Sequence, residues 1–251
     1  MAETYPPILF VHGFPFDHEQ WRPQLDRLSA WHCLAPDLRG FTGGTPPAGG
    51  YSMAVYADDL VAVLDASGIE RAVWCGLSMG GYILFEVLRR HPERVLGVML
   101  CDTKAEPDTP EGKAGRDEMV RVAEREGPAA IAERLLPKLL GPTTRAQRPH
   151  VVAAVRAMAE RLQVAGIVGA LRAMRDRPDS QPLLEKISVP TLVLGGSEDE
   201  ISPAVGMRAM AQRIRGARYV EVPEAGHLAP LERPELVNGA LEDFLLHASF
   251  G

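Results

Sequence analysis

The sequence predicts the α/β fold class: a mostly or wholly parallel sheet of about six strands, helices on both faces, and one inserted helical segment. Three observations carry this reading. Six short apolar runs read as strands. Most are followed by a segment with helical spacing, and that alternation implies a parallel sheet covered on both faces. The alternation lapses once, over about 107–180, where helical segments follow one another without a strand. Residues 1–106 and 181–251 therefore read as one core, and 107–180 as an insertion expected to form a helical cap.

Each element has its own signal. Pro7-Ile8-Leu9-Phe10-Val11 is continuously apolar, as a strand buried on both faces must be. Gln20 to Leu28 has helical spacing, with Trp21, Leu25 and Leu28 on one stripe. Trp31 to Ala35 is the second strand, closed by Pro36-Asp37, and a Gly/Pro-rich loop spans Gly40 to Gly50. Ser52 is placed to cap a helix over Met53 to Ala66, with an apolar stripe through Val55, Leu60, Val63 and Leu64 and a stop at Gly68. Ala72 to Cys75 is a strand, and Met79 to Arg90 a helix ended by His91-Pro92. Val95 to Leu100 is the fourth strand. The helical block that follows is broken at Gly127-Pro128, Gly141-Pro142 and Pro178. Strands at Val189 to Leu194 and Arg218 to Val222 complete the sheet, with helices over Pro203 to Ile214 and Pro234 to His247.

Bulk properties narrow the function classes. A chain of 251 residues is long enough for one full core. A net charge of −6, without a basic tract, argues against nucleic acid as a partner. No stretch has the length to span a membrane. The start Met1-Ala2-Glu3-Thr4 has neither the basic residues nor the apolar run of a signal peptide, so a cytoplasmic location is expected. Cys33, Cys75 and Cys101 lie in or beside strand-like runs and read as reduced, buried packing residues. No Cys/His spacing matches a zinc site. The helical block carries a slight basic excess, which solvated helix faces account for.

The chemistry centres on Cys75-Gly76-Leu77-Ser78-Met79-Gly80-Gly81. By composition alone, a G-x-S-x-G pattern arises in about one chain in ten of this length. Its meaning comes from position: a strand precedes it and a helix follows, which places Ser78 on a sharp turn with its hydroxyl exposed. A serine hydroxyl needs a base, and the base needs an orienting acid. In this architecture the order is Ser, then Asp or Glu, then His. His227, in the loop after the last strand, fits the base. The other histidines lie on or beside helices, begin a strand (His32), or, like His12, precede the serine and shape a loop. Two acids compete: Asp199 and Asp102, each just beyond a strand and each between Ser78 and His227. Glu198 and Glu200 flank Asp199. Asp199 is favoured because the chain leads from it directly towards His227. An oxyanion hole requires two backbone N–H groups, here assigned to Met79, after the nucleophile, and Phe14, in the loop after the first strand.

His12-Gly13-Phe14, Asp37-Leu38-Arg39-Gly40, Gly76-Leu77-Ser78-Met79-Gly80-Gly81, Asp199 before Ile201-Ser202-Pro203, and Gly226-His227 together resemble the α/β-hydrolase family over about residues 7–247. Within that family Ser78 resembles the serine branch, the carboxylesterases and enol-lactonases in particular, since the dehalogenases and epoxide hydrolases carry an aspartate at the elbow. The chain starts at what resembles the family's third strand, which implies a six-stranded sheet. Phe41-Thr42-Gly43-Gly44 departs from the family's usual glycine after the Arg-Gly pair. The resemblance implies hydrolysis of a small-molecule ester or lactone through an acyl-enzyme, without metal or cofactor. Three alternatives stay open: a carbon–carbon bond hydrolase, a perhydrolase with the same triad, and a ligand-binding member that barely turns over.

Overall fold

The computed structural model of the chain describes residues 5–42 and 50–250. The first four residues and most of the predicted Gly40–Gly50 loop, residues 43–49, lie outside the described residues. Among the described residues, six strands form one sheet: β1 (Ile8–Val11), β2 (Cys33–Leu34), β3 (Ala72–Leu77), β4 (Val95–Cys101), β5 (Thr191–Gly196) and β6 (Arg218–Val222). Their order is β2-β1-β3-β4-β5-β6, and every pairing is parallel. β1, β3 and β5 are buried throughout and β4 nearly so, which is why they read as continuous apolar runs. The first interior turn of the sheet order lies between β1 and β3, and their register pairs Val11 with Gly76. Both chains therefore leave the sheet side by side at its carboxyl edge, where open α/β sheets bind ligands.

The helices are α1 (Arg22–Arg27), α2 (Met53–Ala66), α3 (Met79–Arg90), α4 (Pro110–Leu139), α5 (Pro142–Gln147), α6 (Pro149–Glu160), α7 (Val164–Arg175), α8 (Ala204–Arg213), α9 (Ala229–Glu232) and α10 (Pro234–His247). Ser52 caps α2 as its sequence context requires, its hydroxyl accepting from Val55 N–H at 3.1 Å. Gly68 ends that helix with φ +68°, and Ile69 N–H returns to Leu64 O. α4 to α7 lie between β4 and β5. Within α4 the backbone breaks at Gly127 (φ +80°), beside the Gly-Pro pair that marked it. Among the described residues, no helix is long and apolar enough to cross a membrane.

Several elements differ from expectation for physical reasons. β2 covers two residues rather than five, because it is the sheet edge and is only half-buried. Cys33 sits there and is half-buried, unlike the fully buried Cys75 and Cys101; all three thiols are free. The predicted helix over Gln20–Leu28 begins as a 3₁₀ turn over His18–Trp21, capped by Asp17, before α1 starts next to Pro23. The buried stripe of α2 runs through Met53, Tyr56, Leu60 and Leu64, leaving Val55 and Val63 at its margins. β5 is displaced by two residues, its start falling just after Pro190, which has no N–H for the ladder. The one-turn helix α9, directly after His227, had no sequence signal strong enough to find it.

Candidate active site

The elbow is built by close backbone contact. Ser78 joins β3 to α3 with φ +52° and ψ −109°, a conformation that non-glycine residues rarely adopt. Its N–H donates to Cys101 O of the neighbouring strand at 2.9 Å. Its carbonyl accepts from the Thr103 hydroxyl at 2.8 Å. The flanking glycines are required sterically. A Cβ on Gly80 would stand 2.3 Å from Val11 O, and one on Gly76 would stand 2.6 Å from the Gly80 carbonyl carbon. Thr103 also fills the space beside Gly81 and was not foreseen; its only sequence signal is its place two residues after a strand end.

Ser78, His227 and Asp199, predicted from three separate loops, form one hydrogen-bonded chain. Ser78 Oγ–H donates to His227 Nε2 at 2.8 Å, and His227 Nδ1–H donates to Asp199 Oδ2 at 2.8 Å. An ionised carboxylate only accepts, so the contact with Asp199 places the imidazole proton on Nδ1 and leaves Nε2 free to accept. Asp199 is fixed in turn: its Oδ1 accepts from Ile201 N–H at 2.8 Å and Ser202 N–H at 2.9 Å. All three residues are buried, Ser78 the least at 8% exposed.

Asp102, the second candidate acid, is fully buried but faces other groups. Oδ1 accepts from Gly196 N–H at 2.8 Å and Oδ2 from Ala229 N–H at 3.3 Å. Burial, reinforced by the negative charge of Asp199, raises its carboxyl well above the usual range. Glu198 turns away to Thr143 at the start of α5, and Glu200 is exposed.

The loop after β1 presses on the elbow: a Cβ on Gly13 would stand 2.8 Å from a Leu77 methyl. Gly13 N–H donates to Gln20 Oε1 at 2.9 Å. His12 shapes this loop, with Nδ1–H donating to Gly13 O at 3.0 Å and Nε2 accepting from Leu38 N–H at 3.0 Å. Burial lowers the His12 pKa, which keeps it neutral in that dual role. Phe41, at the departure noted in the sequence, packs edge-on against His12 and Phe14. Phe14 and Met79 are both buried at the carboxyl edge, and neither N–H has an intramolecular acceptor among the described residues. Met79 is also the first residue of α3, where the helix dipole favours negative charge.

Among the described residues one group, Asp17, His18 and Asp37, brings three metal-ligating atoms within 4.8 Å of one another. Both oxygens of Asp17 already accept from Arg161, at 2.7 Å each, and Asp37 accepts from His18 N–H and Nδ1–H. These partners satisfy the cluster internally.

Comparison with known proteins agrees with this fold. The family model for the alpha/beta hydrolase fold matches residues 6–234. The thermophilic esterase from Thermogutta terrifontis superposes with a TM-score of 0.93 at 41% identity, over 97% of this chain and 90% of that one. The enol-lactonase from Burkholderia xenovorans LB400 gives 0.89 at 32% identity, over 97% and 92%. In sequence, 3-oxoadipate enol-lactonase 2 of Acinetobacter baylyi is 25% identical over 238 residues, covering 94% of this chain and 87% of the relative.

Proposed function

The chain belongs to the α/β-hydrolase fold family, and from that premise we propose that it cleaves carboxylic esters or lactones of small molecules through an acyl-enzyme on Ser78. The observation that carries this reading is the pair of 2.8 Å hydrogen bonds from Ser78 through His227 to Asp199. In the proposed reaction Ser78 Oγ attacks the carbonyl carbon while His227 Nε2 takes its proton. Asp199 holds the imidazole and stabilises its charged form. Negative charge develops on the carbonyl oxygen, and the N–H groups of Phe14 and Met79 receive it; each such donor is worth ~10²–10³ in rate. His227 then gives its proton to the leaving alkoxide, or to the ring oxygen of an opened lactone. A water deprotonated by the same nitrogen attacks the acyl-enzyme, releases the acid and restores Ser78.

We also infer a cytoplasmic location, a compartment in which free thiols such as Cys33, Cys75 and Cys101 persist. The helical block is read as a cap over the acyl site. Its α7 lies against the loop after β2, with Gln163 N–H donating to Phe41 O and Gly166 packed on the Gly40 backbone.

The test is turnover of p-nitrophenyl esters of increasing chain length and of simple lactones, with Ser78→Ala as control. Hydrolysis abolished in Ser78→Ala supports the reading. Undiminished hydrolysis in that variant rejects it. Adding peroxide, or substituting a meta-cleavage dione, exposes a perhydrolase or a carbon–carbon hydrolase that uses the same residues.

A further inference from the structure

Four consecutive backbone amides, those of residues 226–229, carry His227, and each finds an acceptor. Gly226 N–H and Leu228 N–H both donate to Glu232 Oε1, at 2.9 and 3.1 Å. His227 N–H donates to Leu139 O at 3.0 Å, and Ala229 N–H to Asp102 Oδ2 at 3.3 Å. The second oxygen of Glu232 reaches elsewhere: Oε2 accepts from Gly141 N–H at 2.9 Å. Leu139 ends α4 and Gly141 caps α5. One carboxylate thus spans the loop that bears His227 and the junction inside the helical block.

The arrangement is costly unless it has a purpose. Glu232 is 2% exposed and, among the described residues, no cation pairs with it. Burying a carboxylate without a counter-ion is unfavourable, and among the described residues it is three N–H groups and the Thr144 hydroxyl that compensate. The two strands of chain also touch directly: a Cβ on Gly226 would stand 2.3 Å from Gly141 N. An apolar side chain at position 232 would fill the volume but leave three buried N–H groups unpaired.

We propose that Glu232 is a positioning residue: it fixes the peptide planes on both sides of His227, and through Gly141 it couples the imidazole to the helical block. The proposal rests on the reading of His227 as the base. Oε1 holds residues 226 and 228 from one point, so the ring keeps its direct line between Ser78 and Asp199. A shift of the 139–141 junction moves the same loop through two contacts, Leu139 O and Glu232 Oε2. Opening of the block and misalignment of His227 are then one event.

Glu232→Gln keeps the shape but replaces one accepting oxygen with an NH₂ donor. That amide can serve residues 226 and 228 or Gly141, not both. A small displacement of a reacting group costs on the order of 10²-fold. For p-nitrophenyl acetate, kcat in Glu232→Gln should fall by about that factor with KM little changed. The low-field proton resonance of His227 Nδ1–H should broaden or disappear in the same variant. Wild-type kcat together with an unaltered resonance would overturn the proposal. If Glu232→Gln does not fold, native-state hydrogen exchange on the unaltered protein decides. The amides of Gly141, Gly226 and Leu228 should share one opening free energy, and independent exchange of Gly141 would refute the coupling. Failure of the hydrolase reading is separate: it shows as full turnover in Ser78→Ala and leaves the resonance and exchange results untouched.

Discussion

His227 Nδ1 lies 2.8 Å from Asp199 Oδ2, while the equally buried Asp102 turns its oxygens to the amides of Gly196 and Ala229. Two carboxyls at adjacent strand ends thus have different partners. Asp199→Asn should lower kcat by about 10⁴-fold, the scale seen when the orienting acid of a serine triad is neutralised. Asp102→Asn should cost less than about tenfold, the scale of one ordinary hydrogen bond. Steady-state kinetics of the two variants on one ester separate the roles.

The same pair sets a dependence of stability on pH. Asp102 has a folded-state pKa raised by burial and by Asp199, against about 3.9 in an unfolded chain. The folded protein therefore holds this proton more tightly than the unfolded one. Its contribution to stability is complete below the unfolded pKa and is lost as pH rises through the folded pKa. Asp102→Asn has no such proton. Urea unfolding between pH 4 and about pH 8 should show wild type losing stability relative to the variant as pH rises.

Glycines in the chain divide by what a methyl group would meet. Gly80→Ala drives a Cβ to within 2.3 Å of Val11 O, in the middle of the sheet edge that carries Ser78. It should destabilise by at least about 1–3 kcal/mol. Gly239 lies in α10, exposed, with nothing within 4 Å of the added carbon. Gly239→Ala should stabilise by about 0.5–1 kcal/mol. Chemical denaturation of both measures the contrast.

Arg161, at the end of α6, donates two 2.7 Å hydrogen bonds to the buried Asp17, which also caps the turn beginning at His18. Arg161→Ala leaves that carboxylate, among the described residues, with Glu19 N–H as its partner. Arg161 is half exposed, so solvent reduces the loss to about 1–2 kcal/mol. Arg161→Lys should recover only part of it, because an ammonium cannot reproduce the two-point contact. Thermal melting of the three proteins checks the order.

The sheet was legible because β1, β3, β4 and β5 are buried on both faces and so lack polar interruptions. Its edge was less so: β2 gains little burial, and the apolar letters from Trp31 to Ala35 overstate its length. Ser78 and His227 could be placed from sequence because their local contexts, a glycine-flanked turn and a loop after the last strand, constrain the backbone. The choice between Asp199 and Asp102 could not be forced by pattern, since both follow strands. It depends on side-chain direction, which spacing does not encode. Thr103 and Glu232 escaped for a related reason: their hydrogen bonds go to backbone amides and carbonyls, which leave no mark on residue type.

The proposed reaction passes through a covalent intermediate at Ser78. The most direct measurement is acid quench of the enzyme during turnover of p-nitrophenyl acetate, followed by proteolysis and mass spectrometry of the peptide containing Ser78. Wild type should carry one acetyl group on Ser78, accumulating when deacylation is slow, and Ser78→Ala should carry none and fail to release p-nitrophenol above background. Turnover at the wild-type rate in Ser78→Ala, with no acylated serine in either protein, would contradict the proposed reaction.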